Sequence, residues 1–178
     1  LAEEFGLTDY PNPAGGCLLT EPNYAWRLRE FLSYNANPSV RELNLLRVGR
    51  HFRVGAAKII AGRNEAENNL IESMAAPGEP LLRARDCGSP TVLVTGLLAD
   101  SASALISPAG GGTFDETIRA AASVCARYSD NMEAPPVSVS LSIGGRSGLV
   151  DAMPADDAWL GLHRVQKPEK PDKRRITT

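Results

Sequence analysis

The chain has 178 residues, 43% of them hydrophobic, and its 19 basic and 21 acidic side chains leave a net charge of −2. That length makes one ordinary domain, or one small domain with an appendage, able to bury a core. The balance excludes bulk basicity as an argument for a nucleic-acid partner, and no apolar run approaches the roughly 20 residues of a membrane span. No signal-peptide pattern is present. Cys17, Cys87 and Cys125 are scattered and lack CxxC spacing, which predicts reduced thiols in a cytoplasmic protein and no disulfide framework. A chain opening on Leu1 reads as a piece of something longer.

In chain order, the first 34 residues open with a short polar helix. "DYPNPAGGCLLTEP" then makes a loop around a short "CLL" strand. Tyr24, Leu28, Phe31 and Leu32 share one helical face, and Asn35–Pro38 breaks that helix. "SVRELNLL" restarts one, with Ser39 and Glu42 at capping-box spacing. "HFRV" and "AKIIAG" predict a hairpin around Gly55. A helix follows from Glu65, with Asn64 and Glu67 at capping-box spacing and Ala66, Leu70 and Met74 on its inner face.

"PLLRAR" and "TVLVTG" are the next strands, separated by the turn "DCGSP". "PAGGGT" is a loop, and Thr113 with Glu116 predicts another capping box. The helix beyond buries Ile118, Ala121, Ala122, Cys125 and Tyr128. "PVSVSLSIG" alternates Val137, Val139, Leu141 and Ile143 inward as a half-buried strand. "AWLGLHRV" is taken as a final strand, and the tail from Gln166 is too charged and proline-rich to pack. Strands and helices in this order predict an α+β fold with a small antiparallel or mixed sheet.

Few chemical motifs stand out. Gly110–Gly112 lacks the lysine of a Walker loop and reads as a loop. His51 and His163 are far apart with no ligand partners at metal spacing, so no metal is expected, and His51 reads as a half-exposed strand residue. Cys17 has two open readings, a small buried hydrophobe or a thiol presented on a loop. The densest signal is "AKIIAGRNEAENNLI", where a strand turns into a helix. Asn64 there is placed as a helix N-cap. Arg63 beside unpaired helix N–H groups makes a ready phosphate site, and Asn68 falls one turn on, on the face away from the apolar stripe. Between Arg41 and Arg63 the charges are six positive to one negative.

"IIAGRNEAENNLI", "RDCGSPTVLVTG" and "AAASVCARYSD" together resemble the RNA-binding NFACT-R domain of the NFACT proteins, over about residues 49–150. The resemblance rests on Gly62, Arg63, Asn64 and Asn68, then Gly88 and Ser89, then Tyr128 and Ser129. Where that family shows an aromatic and a histidine this sequence has "LLRARD", with Arg83 or Arg85 as the substitute. The resemblance implies two main helices on the sheet and an RNA partner held by Arg63, Asn64, Asn68, Ser89 and Tyr128. The basic segment Arg41–Lys58, with Arg50, Arg53 and Lys58, adds backbone contacts. The segment "YPNPAGGCLLTEPNYAWRLREFL" resembles the region after the ATP-pyrophosphatase domain of tRNA 2-thiouridylase-like proteins. That likeness implies sulfur transfer by Cys17 and a tRNA partner, with ATP bound by a domain absent here and sulfur supplied by a donor protein. The expected division is a loop-and-helix segment at 1–48, an α+β domain at 49–165 and a disordered tail at 166–178. The fragment alone is not expected to be an active enzyme. A sulfur-carrier or redox module, or a dimerising protein module without RNA binding, are the rival readings.

Overall fold

The computed structural model describes residues 18–97 and 116–168. In chain order these form a 3₁₀ turn (Leu18–Thr20), α1 (Pro22–Leu32), α2 (Val40–Leu45), β1 (Arg50–Val54), β2 (Ala57–Ala61) and α3 (Glu65–Met74). Then come β3 (Leu81–Ala84), β4 (Val92–Thr95), α4 (Glu116–Arg127), β5 (Val137–Ile143), β6 (Arg146–Ala152) and α5 (Asp157–His163). The six strands make one sheet in the order β1-β2-β4-β3-β5-β6. Every pairing is antiparallel, so the fold is α+β as the order of elements implies.

The β1–β2 hairpin forms as its sequence dictates, with Val54 opposite Ala57 and Gly55 at positive φ in the turn. β2 and β4 are buried on both faces. Phe52, Ile59, Val92 and Val94 pack under α4, which supplies Ile118, Ala121, Ala122 and Cys125. On the opposite face Ile60 and Leu93 meet Leu45 of α2 and Ile71 of α3. β5 alternates as its sequence requires, with Val137, Val139, Leu141 and Ile143 inward.

α1 and α2 pack onto the sheet domain. Tyr24 and Phe31 cluster with Leu46, and Arg27 donates to the carbonyls of Leu46 (3.0 Å) and Gly49 (3.1 Å). The Ser39–Glu42 capping box is present in full.

Four expectations are corrected. "AWLGLHRV" is helical, because Asp156 caps the segment by accepting from Trp159 N (2.7 Å), and its Leu160 joins the core. The last strand is β6, joined to β5 through Gly144 and Gly145, both at positive φ, as a two-residue hairpin turn requires. The inner residue of α3 is Ile71, fully buried, while Leu70 is 50% exposed and Ala66 is also exposed. His51 is buried: its Nε2 pairs with the Val48 carbonyl (2.7 Å), and burial holds its pKa well below the usual 6.5. The "CLL" stretch is described only from Leu18, within the 3₁₀ turn. Cys17, Gly110–Gly112, the Thr113 cap and nearly all of the tail lie outside the described residues.

Candidate functional site

Three segments meet at one end of the sheet. The first is the passage from β2 into α3. Gly62 N donates to the Thr91 carbonyl (3.1 Å), and Asn64 accepts from Glu67 N (3.0 Å) to cap the helix. The second is the turn from β3 to β4, pinned where Ser89 Oγ accepts from Ala84 N (2.9 Å). The third is the exit from α4, where Asp130 N donates to the Gly88 carbonyl (2.9 Å).

Asn68 ties the first two together. Its Oδ1 accepts from Thr91 N (2.9 Å) and its Nδ2 donates to the Ser89 carbonyl (3.3 Å). A Cβ on Gly62 would stand 2.0 Å from that Oδ1, so residue 62 must be glycine for the amide to fit. The placement of Asn68 on an outward face is therefore corrected. Helical geometry carries positions 67, 68 and 71 toward the sheet, and the side chain braces two loops.

Between the segments lies an open cleft of about 320 Å³. Its lining includes Arg50, Arg63, Asn64, Asn68, Ser89, Tyr128 and Asp130. The Arg50 guanidinium lies 4.3 Å over the Tyr128 ring and donates to the Gly62 carbonyl (3.2 Å), which fixes its position before any ligand arrives. Arg63 forms an i,i+4 ion pair with Glu67, which also accepts from the backbone N–H groups of Arg63 (2.9 Å) and Gly49 (3.2 Å). Hydrogen bonding to Glu67 raises the Arg63 pKa, and the same contact lowers that of Glu67 against the opposing effect of burial. Glu67 engages Nε and Nη2, leaving Nη1 and about half of the side-chain surface open.

Arg53 and Lys58 lie elsewhere. Both pair with Glu30 of α1, Arg53 Nε at 2.6 Å and Lys58 Nζ at 3.0 Å, and Lys58 is 2% exposed. Burial pushes the Lys58 pKa down to about 8 despite Glu30. Arg41 pairs with Glu79, so the linear basic run from Arg41 to Arg63 does not form one basic face. Arg83 binds Thr91 Oγ1 (2.8 Å) and Glu72 (3.0 Å), and Arg85 sits 3.4 Å from Asp86 on the surface. Cys125 donates toward the Pro90 carbonyl (3.8 Å) beneath the cleft, its thiol pKa pushed up to about 11 by burial. Asp130 was not singled out in the sequence, although it directly follows Tyr128 and Ser129.

Comparison with known proteins bears on the fold and the family. The fold is similar to that of the C-terminal part of the fibronectin/fibrinogen-binding protein from Streptococcus suis, with a TM-score of 0.51 and 17% identity. The match covers 78% of this chain and 66% of that one. No curated protein matches the sequence, and no finding extends to the 2-thiouridylase-like proteins. Among the described residues no helix is long and apolar enough to cross a membrane. The family described as the NFACT protein RNA binding domain matches residues 49–159, a span that contains the whole cleft and more than half of the sequence, and the chain belongs to that family.

Proposed function

We propose that this chain binds structured RNA, tRNA included, by seating the sugar–phosphate backbone in the cleft between α3, the β3–β4 turn and the end of α4. The observation that carries the reading is the convergence there of Arg50, Arg63, Asn64, Ser89 and Tyr128 from separate parts of an RNA-binding family domain. Arg50 is preorganised by the Tyr128 ring and the Gly62 carbonyl. Arg63 stands at the start of α3, where the first-turn N–H groups lack intrahelical acceptors and attract anions. Asn68 serves by holding the two loops in register, and Lys58 and Arg53 serve by anchoring α1. Phosphate contacts of this kind supply affinity and position, and little sequence choice.

Amide NMR spectra recorded during a tRNA titration test the location. Shifts should concentrate at residues 62–68, 88–91 and 128–130. Shifts confined to β6 and α5 would remove the cleft from the reading.

The finer expectation, a tRNA-thiolation protein that uses Cys17 for sulfur transfer, rests on the resemblance of the segment around "GGCLLT" alone. It predicts that Cys17→Ser in the full-length protein abolishes thiolated uridine in bulk tRNA while the fold is kept. Unchanged thionucleoside levels by mass spectrometry would remove it.

A further inference from the structure

We infer that Asp130 reads the ribose 2′-hydroxyl of RNA in this cleft and so sets its preference for RNA over nucleic acid without that group. The inference rests on the cleft being the RNA site.

A site built only to hold phosphate has no use for an unpaired carboxylate, yet Asp130 lines the same cavity as Arg50 and Arg63. Neither arginine pairs with it. The contacts that orient Arg50 are with Tyr128 and the Gly62 carbonyl, and those of Arg63 are with Glu67. The backbone of Asp130 has a structural task, its N–H donating to the Gly88 carbonyl, but any residue other than proline would perform it. The side chain is exposed and accepts no hydrogen bond from the described residues.

Its position is also electrostatically poor. Asp130 lies three residues past Arg127, the end of α4, where the helix dipole favours cations. Glu65, the other unpaired carboxylate of the cleft, sits in the first turn of α3, where the dipole accounts for it. The carboxylate of Asp130 instead lies close over Gly88, where a Cβ would meet its Oδ2 at 2.4 Å, and the bare glycine leaves room for that approach. An unpaired carboxylate in a cleft that also holds two arginines is placed to accept from a donor that arrives together with a phosphate. The RNA backbone carries such a donor in every nucleotide, the 2′-hydroxyl, and DNA carries none.

The test uses one hairpin sequence synthesised as RNA and as 2′-fluoro RNA. The two share base edges and an A-like sugar pucker, but only the first can donate at the 2′ position. Their affinities are measured by fluorescence anisotropy for the unaltered chain and for Asp130→Ala, with thermal melts of both proteins. The unaltered chain should bind RNA roughly tenfold or more tighter, the scale of one hydrogen bond to a charged group. Asp130→Ala should melt normally and bind both hairpins alike. Equal binding of the two hairpins by the unaltered chain overturns the inference, as does a ratio that survives in Asp130→Ala; in either case any contact by Asp130 is to something else, a base amino group included. If neither hairpin binds at all, the RNA-binding reading of the cleft fails first, and this inference with it.

Discussion

Asn64 and Asn68, one turn apart on α3, have opposite duties. Asn64 ends its work at the helix terminus, where its Oδ1 takes the Glu67 N–H. Asn64→Ala should cost about 1 kcal/mol of stability as a lost cap. Asn68→Ala should cost about 1–3 kcal/mol, because it strands the part-buried Thr91 N–H and frees the β3–β4 turn. Thermal melts of the two variants check the order: Asn68→Ala should be the less stable. Both asparagines were visible in the sequence, but only the cap was assignable from it. The role of Asn68 depends on Thr91 and Ser89 reaching it from another strand, a tertiary fact that helical periodicity does not carry. The same holds for Arg50, whose place in the cleft is set by a tyrosine 78 positions away.

At the scale of elements, the docking of α1 combines the Tyr24–Phe31–Leu46 contacts and the Arg27 hydrogen bonds with ion pairs to one carboxylate. Glu30 neutralises Arg53 and Lys58 together, and all three side chains are largely buried. Glu30→Gln leaves both cations short of a partner and should cost roughly 3 kcal/mol or more by chemical denaturation. Burial alone would raise the Glu30 pKa, but hydrogen bonding from Arg53 and the charge on Lys58 bring it below the usual 4.5. With a folded pKa below the unfolded one, the stabilisation is complete above about 4.5 and is lost as the pH falls through the lower folded value. Denaturation midpoints between pH 5 and 3 should therefore fall less in Glu30→Gln than in the parent. Elements with strong local signals were legible: the Ser39–Glu42 box, the Gly55 hairpin and the alternation of β5. α5 was misread as a strand because Trp159, Leu160 and Leu162 resemble a β pattern, while the deciding feature is the cap at Asp156. β6 was missed because its solvent side sets an exposed Leu149 between Ser147 and Asp151, which blurs the alternation, although Gly144-Gly145 is a sound hairpin signal.

For the molecule as a whole, charge is organised in space and not along the chain. The run from Arg41 to Arg63 looks like a basic stripe, but Glu79, Glu30 and Glu67 come to it from outside or from its far end and neutralise most of it. Among the described residues, the cleft offers a ligand two positioned arginines, in keeping with a protein of net charge −2. RNA affinity should accordingly be modest in its salt dependence, because few phosphates are neutralised. The family's RNA-binding character was legible from the "GRN", "GS" and "YS" stretches. The outline of the cleft was not, since it is made where three separate segments meet.

The claim that this cleft holds the RNA is tested most directly by Arg50→Ala combined with Arg63→Ala. Fluorescence anisotropy with labelled tRNA, at several salt concentrations, compares the double variant with the parent, and melts confirm that both are folded. The affinity should fall by about 1–3 kcal/mol for each arginine, and the salt slope should shrink by about two counterions or less. A folded double variant that binds tRNA as tightly as the parent, with the same salt slope, would contradict the account.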